Sequence, residues 1–343
     1  MKDPVRLLVI YTGGTIGMVV DPASGALKPL DFDQLSHYIP IPDAFSFSME
    51  YLSLNPIIDS SDMKPSFWVR LAEILEDHYN AFDGFVILHG SDTMAYTASM
   101  LSFMLENLNK PVVLTGSQLP LGVLRTDGRE NFITALEIAA SRHQGNAAVP
   151  EVCIYFESKL YRGNRTTKLH SGDFDAFFSG NYPCLAEAGV RLKFNHSHIR
   201  RPNFKPLKVY RELSTDLAIL KLYPGITPQA VESVLGIRGL RAVILETFGT
   251  GNAPTDPWFL DLLKEAALRG IILYNVTQCK AGGVEAGRYL TGKTLVDIGV
   301  VSGYDITTES ALAKLMYLMG RYPEQERVKE ILPVSIRGEI TPE

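Results

Sequence analysis

Residues 85–108 read FVILHGSDTMAYTASMLSFMLENL, and this stretch decides the fold class. Its first four residues, Phe85–Leu88, form a short apolar run of the kind seen in strands that are buried on both faces. Glycine and small polar residues follow, and Thr93–Leu108 then has the length and composition of a buried helix. A buried strand, a polar turn and a helix form the repeating unit of parallel α/β proteins.

The same alternation recurs along the chain. Short apolar runs predict further strands at Leu7–Tyr11, Val112–Thr115, Val152–Phe156, Leu217–Leu222, Ala242–Glu246 and Ile271–Val276. Helical patterns lie between them at Phe67–Tyr79, Arg129–Ala140, Asp256–Leu268 and Ser310–Gly320. Gly270 is a candidate stop for the helix that ends near Leu268. This order of elements predicts a parallel α/β architecture.

A polar and basic stretch interrupts the alternation between about residues 193 and 213. It contains Pro202 and Pro206, as a connection between domains often does. The chain has 343 residues, a length that favours about two domains. We therefore predict an N-terminal α/β domain at 1–192, a linker at 193–213 and a C-terminal α/β domain at 214–343.

The composition is that of a soluble globular protein, with 46% hydrophobic and 21% charged residues. The net charge of −5 gives no electrostatic reason to expect nucleic acid or a membrane as a partner. The apolar run at the N-terminus is too short for the core of a signal peptide. Three cysteines without a CxxC pattern favour a reducing compartment, so we predict a cytoplasmic location.

Glycine and hydroxyl residues follow three of the predicted strands. TGGTIG occupies residues 12–17, HGSDT occupies 89–93, and GSQ occupies 116–118. Ligands of open parallel sheets bind at the carboxyl ends of the strands, so these tips form a candidate ligand site. Neither GxGxxG nor GxxxxGK[ST] is present, which argues against a phosphate-binding loop.

Each of these motifs also has a purely structural interpretation. TGGTIG fits an ordinary turn after a strand. Asp92 or Thr93 could cap the next helix, and the DSSD segment at 59–62 could be an exposed loop closed by Asx turns. The basic segment RGNRTTK gains chemical meaning only if Lys168 is buried beside Ser91 and Asp92.

Metal binding is not predicted. His196 and His198 form an HxH pattern, but no third ligand is evident near them in the sequence.

The order of the motifs is more specific than any one of them. TGGTIG, DSSDM, HGSDTM and RGNRTTK follow one another, and the chain also contains TGSQLP, YPGI, FGTGNAP and RGEITP. Over nearly its whole length the chain resembles the L-asparaginase family, specifically the cytoplasmic type I branch. The resemblance implies an α/β asparaginase fold of two domains: a larger Rossmann-like N-terminal domain with a parallel sheet and a smaller flavodoxin-like C-terminal domain.

The resemblance also implies an activity, the hydrolysis of L-asparagine to L-aspartate and ammonia without a metal or an organic cofactor. Thr15 matches the nucleophile, which would form a β-aspartyl ester. Ser91, Asp92 and Lys168 match the second catalytic group. The residues that match substrate-binding positions are Ser60, Ser61, Asp92, Ser117 and Asn252. Asn252 matches a residue that reaches a neighbouring subunit's site, and a homodimer or homotetramer is implied.

The chain departs from the family pattern at two places. Ser91 stands where threonine is usual, so the hydroxyl is kept and we expect looser control of its rotamer. The loop after TGGT, residues 17–27, contains no tyrosine, although many homologues place one there to assist the nucleophile. The sequence leaves the base that activates Thr15 open, with Lys168 acting through Ser91 or through water as the options.

Two other functions remain to be weighed. One is the asparaginase-like subunit of an archaeal-type tRNA amidotransferase, which carries an extra N-terminal domain, whereas TGGT begins here at Thr12. The other is a binding module without catalysis, and the joint presence of Thr15, Ser91, Asp92 and Lys168 argues against it. The sequence does not decide between asparagine and glutamine, which differ by one methylene.

Overall fold

The computed structural model describes residues 4–20, 25, 27–29, 47–285 and 290–341. The chain divides into two compact units, unit 1 at Met1–Arg211 and unit 2 at Glu212–Glu343. This boundary falls inside the segment 193–213, and the part of that segment at Lys208–Val209 pairs with Leu105–Glu106 of unit 1. The domain division at 192 and 213 stays a prediction.

Unit 1 consists of one large sheet, several short hairpins and three described α-helices. Its strands are β1 (Val5–Tyr11), β2 (Met18–Val20), β3 (Leu27–Pro29), β4 (Phe47–Ser53), β5 (Gly84–Leu88), β6 (Leu105–Glu106), β7 (Val112–Thr115), β8 (Arg142–His143), β9 (Asn146–Ala147), β10 (Val152–Phe156), β11 (Lys159–Arg162), β12 (Thr167–Lys168), β13 (Phe177–Phe178), β14 (Ala186–Ala188), β15 (Leu192–Phe194) and β16 (Lys208–Val209). Its α-helices are α1 (Pro65–His78), α2 (Met94–Met104) and α3 (Gly128–Ala140), and short 3-10 helices occupy Thr15–Gly17, Ser60–Asp62 and Gly163–Arg165.

Unit 2 is a smaller α/β layer structure. Its strands are β17 (Leu217–Lys221), β18 (Ala242–Thr247), β19 (Ile272–Thr277) and β20 (Val301–Ser302), which pair in parallel in that order. Its helices are α4 (Pro228–Leu235), α5 (Pro257–Leu268), α6 (Leu290–Ile298), α7 (Thr308–Arg321) and α8 (Gln325–Ile331). Gly270 follows α5 with φ of 88°, and the N–H of Ile271 donates to the carbonyl of Ala266, so the predicted stop is confirmed.

The large sheet of unit 1 has the order β15-β14-β11-β10-β7-β5-β1-β4. Strands β10, β7, β5, β1 and β4 run parallel, and β11, β14 and β15 extend the sheet antiparallel. After β1 the next strand of the sheet in the chain is β4, on one side of β1. After β5 the next is β7, which lies toward the opposite side of the sheet. The gap between the carboxyl ends of β1 and β5 is therefore the point where strand order reverses, which is where such sheets bind ligands.

Burial on both faces explains why the central strands read as continuous apolar runs. All five residues of β5 are buried. Val86 and Leu88 belong to the core cluster that includes Phe132 and Leu136 of α3. Phe85 and Ile87 are fully buried as well, and because side chains alternate along a strand they belong to the opposite face.

The α/β prediction is confirmed, with local differences at the ends and edges. Helix α2 ends at Met104 instead of Leu108, because Leu105–Glu106 forms a strand pair with β16 and Asn107 has φ of 63°. The edge strand β4 was not predicted, since its residues alternate between half-buried and exposed. No helix among the described residues is long and apolar enough to cross a membrane.

Candidate active site

The tips of β1 and β5 lie against each other at the switch point of the sheet. Tyr11 and Leu88 are register partners, and the next residue, Thr12, donates its N–H and its hydroxyl to the carbonyl of Leu88, both at 3.0 Å. Gly14 adopts φ of 90°, and a Cβ added there would lie 2.5 Å from the Cα and N atoms of Gly90. Only glycine permits both this backbone conformation and this approach.

The DSSD loop closes onto the same place. A Cβ at Gly90 would lie 2.5 Å from the Ser60 hydroxyl oxygen, and the Thr93 hydroxyl donates to the Ser60 carbonyl at 2.6 Å. Ser60 is buried, whereas Ser61 is exposed and donates its N–H and hydroxyl to Asp59, each at 2.9 Å. These two bonds hold the pKa of Asp59 below its usual value. The loops at 12–17, 59–62 and 89–93 therefore meet.

Thr15 begins the 3-10 turn that follows this glycine contact and is half-buried. Tyr11 stabilises this turn, because its hydroxyl donates to the carbonyl of Gly17 at 3.1 Å. Burial raises the pKa of Tyr11 to about 12, so its ring acts here as a neutral structural support. Residues 21–24 and 26, within the loop that lacks a tyrosine, lie outside the described residues.

Lys168 reaches the tip of β5 and contacts both predicted partners. Its Nζ donates to the Ser91 hydroxyl oxygen at 2.8 Å and to Oδ1 of Asp92 at 2.6 Å. The Lys168 side chain is 17% exposed and that of Asp92 is 64% exposed. Lys168 thus lies beside Ser91 and Asp92, but it is half-buried rather than buried, and Asp92 faces solvent.

A buried ion pair supports the segment that carries Lys168. Arg162 pairs with Glu151 through Nε at 2.6 Å, and both side chains are almost fully buried. The second guanidinium nitrogen of Arg162 donates to Glu151 and to the carbonyl of His198. Lys168 itself lies in β12, opposite the buried Phe177 of β13. Lys168 is therefore carried by a short hairpin that the buried Arg162–Glu151 ion pair supports.

Two residues after β7 complete this polar cluster. The buried Ser117 hydroxyl has no hydrogen-bond partner within the described part of the chain. Gln118 accepts from the Ser91 hydroxyl at 3.5 Å through its side-chain oxygen, and its amide nitrogen donates to the carbonyl of Asp173 at 2.8 Å. Sequence reasoning missed this use of the Gln118 side chain, because the bond to Asp173 spans 55 residues.

His89 is a structural residue. It is fully buried, its Nδ1 lies 2.7 Å from the Gly90 carbonyl, and its Nε2 lies 2.9 Å from the Thr97 hydroxyl. Because the Gly90 carbonyl can only accept, Nδ1 donates to it, and Nε2 of the neutral ring accepts from the Thr97 hydroxyl. The same hydroxyl accepts the indole N–H of Trp68. Burial lowers the pKa of His89 to about 4, which keeps the ring neutral.

Asn252 belongs to unit 2 and lies in a tight turn after β18. Its backbone N–H and carbonyl both bond to Phe248, and Gly251 at its N-terminal side has φ of 102°. Its assignment to a neighbouring subunit's site stays a prediction. Among the described residues, no group of three or more histidine, cysteine, aspartate or glutamate side chains is placed to hold a metal ion.

Comparisons with known proteins give matches over nearly the whole chain. The family model "Asparaginase, N-terminal" matches residues 6–200, and the model "Glutaminase/Asparaginase C-terminal domain" matches residues 216–332. The chain is 45% identical to L-asparaginase 1 of Escherichia coli K12, over 98% of each chain. It is 42% identical to a 60 kDa lysophospholipase of Mus musculus, over 98% of this chain and 62% of that protein.

A solved structure shows the same likeness in three dimensions. The crystal structure of L-asparaginase I from Vibrio cholerae superposes with a TM-score of 0.88 at 41% identity, covering 99% of this chain and 100% of that chain. The matched family models together span most of the sequence. The TGGT, HGSD and RTTK motifs meet at the carboxyl ends of strands β1 and β5. The chain therefore belongs to the asparaginase family.

Proposed function

We propose that this protein is a cytoplasmic amidohydrolase that converts L-asparagine to L-aspartate and ammonia. The observation that carries the proposal is the contact of Lys168 with both Ser91 and Asp92, beside the glycine-lined turn that presents Thr15. Mere binding of an amino acid needs no such set of hydroxyl, amine and carboxylate groups at a strand tip. The relatives named L-asparaginase support the choice of substrate.

Thr15 is the nucleophile in this proposal. Its hydroxyl oxygen attacks the side-chain amide carbon, the carbon–nitrogen bond breaks, and ammonia leaves with the proton that the hydroxyl gave up. Water then attacks the β-aspartyl ester, aspartate leaves, and Thr15 regains its proton. Splitting the hydrolysis in this way divides one difficult step into two easier ones.

The Ser91–Lys168–Asp92 group handles charge and protons beside the amide. Lysine activates a hydroxyl as a base only in its neutral form. In the arrangement seen here Lys168 donates to Ser91, so Ser91 is held with its own hydrogen directed to Gln118. We assign the backbone groups near Ser91 and Ser117 to the oxygen of the scissile amide, where fixed donors stabilise the developing negative charge.

The amino-acid head of the substrate is held by Ser60, Ser61 and Asp92. Lys168 occupies Oδ1 of Asp92, and we assign Oδ2 to the substrate ammonium. The buried Ser117 hydroxyl lacks a partner in the described chain, a state that costs about 1–3 kcal/mol, and bound substrate would supply one. Anchoring the head in this way positions the amide for attack.

Ammonia release from L-asparagine by wild type, Thr15→Ser and Thr15→Ala tests the proposal. We expect turnover by wild type, reduced turnover by Thr15→Ser, which keeps a hydroxyl, and none above background by Thr15→Ala. Equal thermal melting curves show that all three are folded. Asparagine binding without ammonia release by wild type would identify a binding module, and equal turnover by Thr15→Ala would remove Thr15 as nucleophile.

We further propose that the protein is a homodimer or homotetramer in which Asn252 completes the site of a neighbouring copy. Mixing Thr15→Ala subunits with Asn252→Ala subunits tests this, because a mixed pair contains one site with both native residues. Partial recovery of activity on mixing is the expected result. Additive activities, or a monomer by light scattering, would contradict it.

A further inference from the structure

Unit 1 contains a cavity that is separate from the candidate active site, because none of the residues assigned to that site lines it. It encloses about 400 Å3 and lies between the β8–β9 hairpin and residues 196–204. Its floor is apolar and buried, formed by Ala148, Pro150 and Ile199. A volume of this size is within the range of cavities that take small organic ligands, about 300–1,000 Å3.

The rim of this cavity is cationic. His143, His196, Arg200 and Arg201 line it, all four are exposed, and no aspartate or glutamate is among the lining residues that the structure describes. The nearest sequence neighbour with a carboxylate, Glu151, is buried and bonds to Arg162 at 2.6 Å, so its charge is already neutralised. The rim therefore attracts an anion.

Two imidazole rings stack at this rim. The centroids of His143 and His196 are 3.8 Å apart, with 25° between the ring planes. Partial burial and repulsion from His143 lower the pKa of His196. The ring of Phe194 lies beside His196 and the two arginines line the same cavity, and none of these groups carries a negative charge. An anion bound in the cavity would favour protonation of His196.

Phe204 adds an exposed aromatic ring to the same rim. The residue is 73% exposed and has φ of 56°, a backbone conformation that a bulky side chain rarely adopts. The turn is fixed because Asn109 Oδ1 accepts the N–H groups of Asn203 and Phe204, at 2.9 and 3.1 Å. Strained backbone of this kind clusters at ligand sites, so Phe204 is a candidate ligand contact at the mouth of the cavity.

We propose that this cavity binds a nucleoside monophosphate. The base stacks on Phe204, as aromatic rings and bases commonly do, and the phosphate pairs with Arg201 and the two histidines. Arg201 is exposed and lines the cavity. The side-chain amides of Gln144 and Asn146, also on the lining, offer donors and acceptors to the base edge.

Calorimetric titration of the wild-type protein with adenosine 5′-monophosphate tests the proposal, with adenosine and inorganic phosphate as separate probes. We expect one site per chain for the monophosphate and at least about tenfold weaker binding of each partial probe. Affinity should rise as the pH falls through the histidine range. The C2–H signal of His196 should then titrate at a higher pH in the complex.

Three variants locate the site. Arg201→Ala removes the phosphate partner, and Phe204→Asn removes the ring while keeping a residue that tolerates positive φ. Each should weaken binding by at least about tenfold, whereas the exposed Arg191→Ala should bind like wild type. Equal binding by all three variants, no binding of the monophosphate, or equally tight binding of inorganic phosphate would overturn the proposal. A change of oligomeric state in Phe204→Asn would also overturn it, since the face would then be a subunit interface.

Discussion

Two lysine–carboxylate pairs in this protein have the same length and opposite surroundings. Lys168 lies 2.6 Å from Asp92, which is 64% exposed, and Lys314 lies 2.6 Å from Glu339 with both side chains fully buried. Lys314 also donates to the carbonyls of Leu332 and Val334, at 2.7 and 2.6 Å. The lysine of the buried pair thus has three oxygen partners, whereas the lysine of the exposed pair also donates to the Ser91 hydroxyl.

Distance alone therefore does not reveal what an ion pair does. An exposed pair contributes about 0–1 kcal/mol to stability because water and salt screen it. A buried pair is difficult to break, because the remaining charge is left without compensation. Burial lowers the pKa of Lys314 and the contact with Glu339 opposes that shift. We infer that the Lys168 pair serves the reaction and the Lys314 pair stabilises unit 2.

Replacing Lys168 should produce the largest effect. For Lys168→Met we expect asparagine hydrolysis to fall by roughly 10⁴–10⁶-fold, the range of losses seen when one member of a catalytic triad is removed. The free energy of unfolding should change by less than about 1 kcal/mol. Steady-state ammonia release and urea unfolding measure the two quantities. Lys159→Met is the matched control, since it removes an exposed pair with Asp175, and full activity in Lys168→Met would refute the assignment.

Replacing Lys314 should lower stability and leave activity unchanged, the reverse of the effect expected for Lys168. For Lys314→Met we expect the free energy of unfolding to fall by about 3–5 kcal/mol, because Glu339 stays buried and loses its ion pair with Lys314. Activity per folded molecule should be retained. Lys329→Met, which removes an exposed pair with Glu326, should change stability by less than about 1 kcal/mol. If both lysine variants unfold at the same urea concentration, the contrast between buried and exposed pairs is wrong.

His89 extends the contrast to a buried group without an ion pair. Its folded-state pKa is lowered to about 4, so below pH 6.5 the unfolded chain binds the proton more readily than the folded one. Stability is therefore complete above about pH 6.5, and about 3 kcal/mol is lost as the pH falls to about 4. Urea unfolding across this range measures the slope. The slope should shrink in His89→Gln and persist in the exposed His170→Gln.

The smallest effect on activity is expected for Ser91→Thr. Ser91→Thr keeps the hydroxyl that Lys168 contacts, so kcat/KM should stay within about a factor of ten of wild type. Ser91→Ala removes that hydroxyl and should lose far more activity. Comparable losses in the two variants would show that Gln118 and the shape of the site, rather than the contact with Lys168, set the requirement at this position.

Much of the fold was predictable because the central strands are buried on both faces. Continuous apolar runs place β5, β7 and β10 to within a residue, since nothing polar interrupts them. The edge strand β4 and the short strands β14 and β15 were not predicted, because half-exposed residues leave no comparable pattern. Helix α4 was missed as well, since its eight residues give too short a period.

The site was predictable where motifs follow parallel strands, since topology brings those ends together. Contacts across distant loops were not predictable, and the bond from Gln118 to Asp173 is one example. The buried Lys314 was missed because lysine normally faces solvent. A signal was present, since Lys314 shares a helix face with Ala311 and Leu318, three residues before it and four after it, and both are buried.

The central claim is that asparagine is hydrolysed through an ester on Thr15. Rapid mixing of wild type with L-asparagine, acid quenching and mass spectrometry of the peptides tests it directly. We expect the peptide containing Thr15 to carry one added aspartyl group during turnover, and we expect hydroxylamine to remove it. An unmodified Thr15 peptide under these conditions, or the same adduct on Ser91 instead, would contradict it.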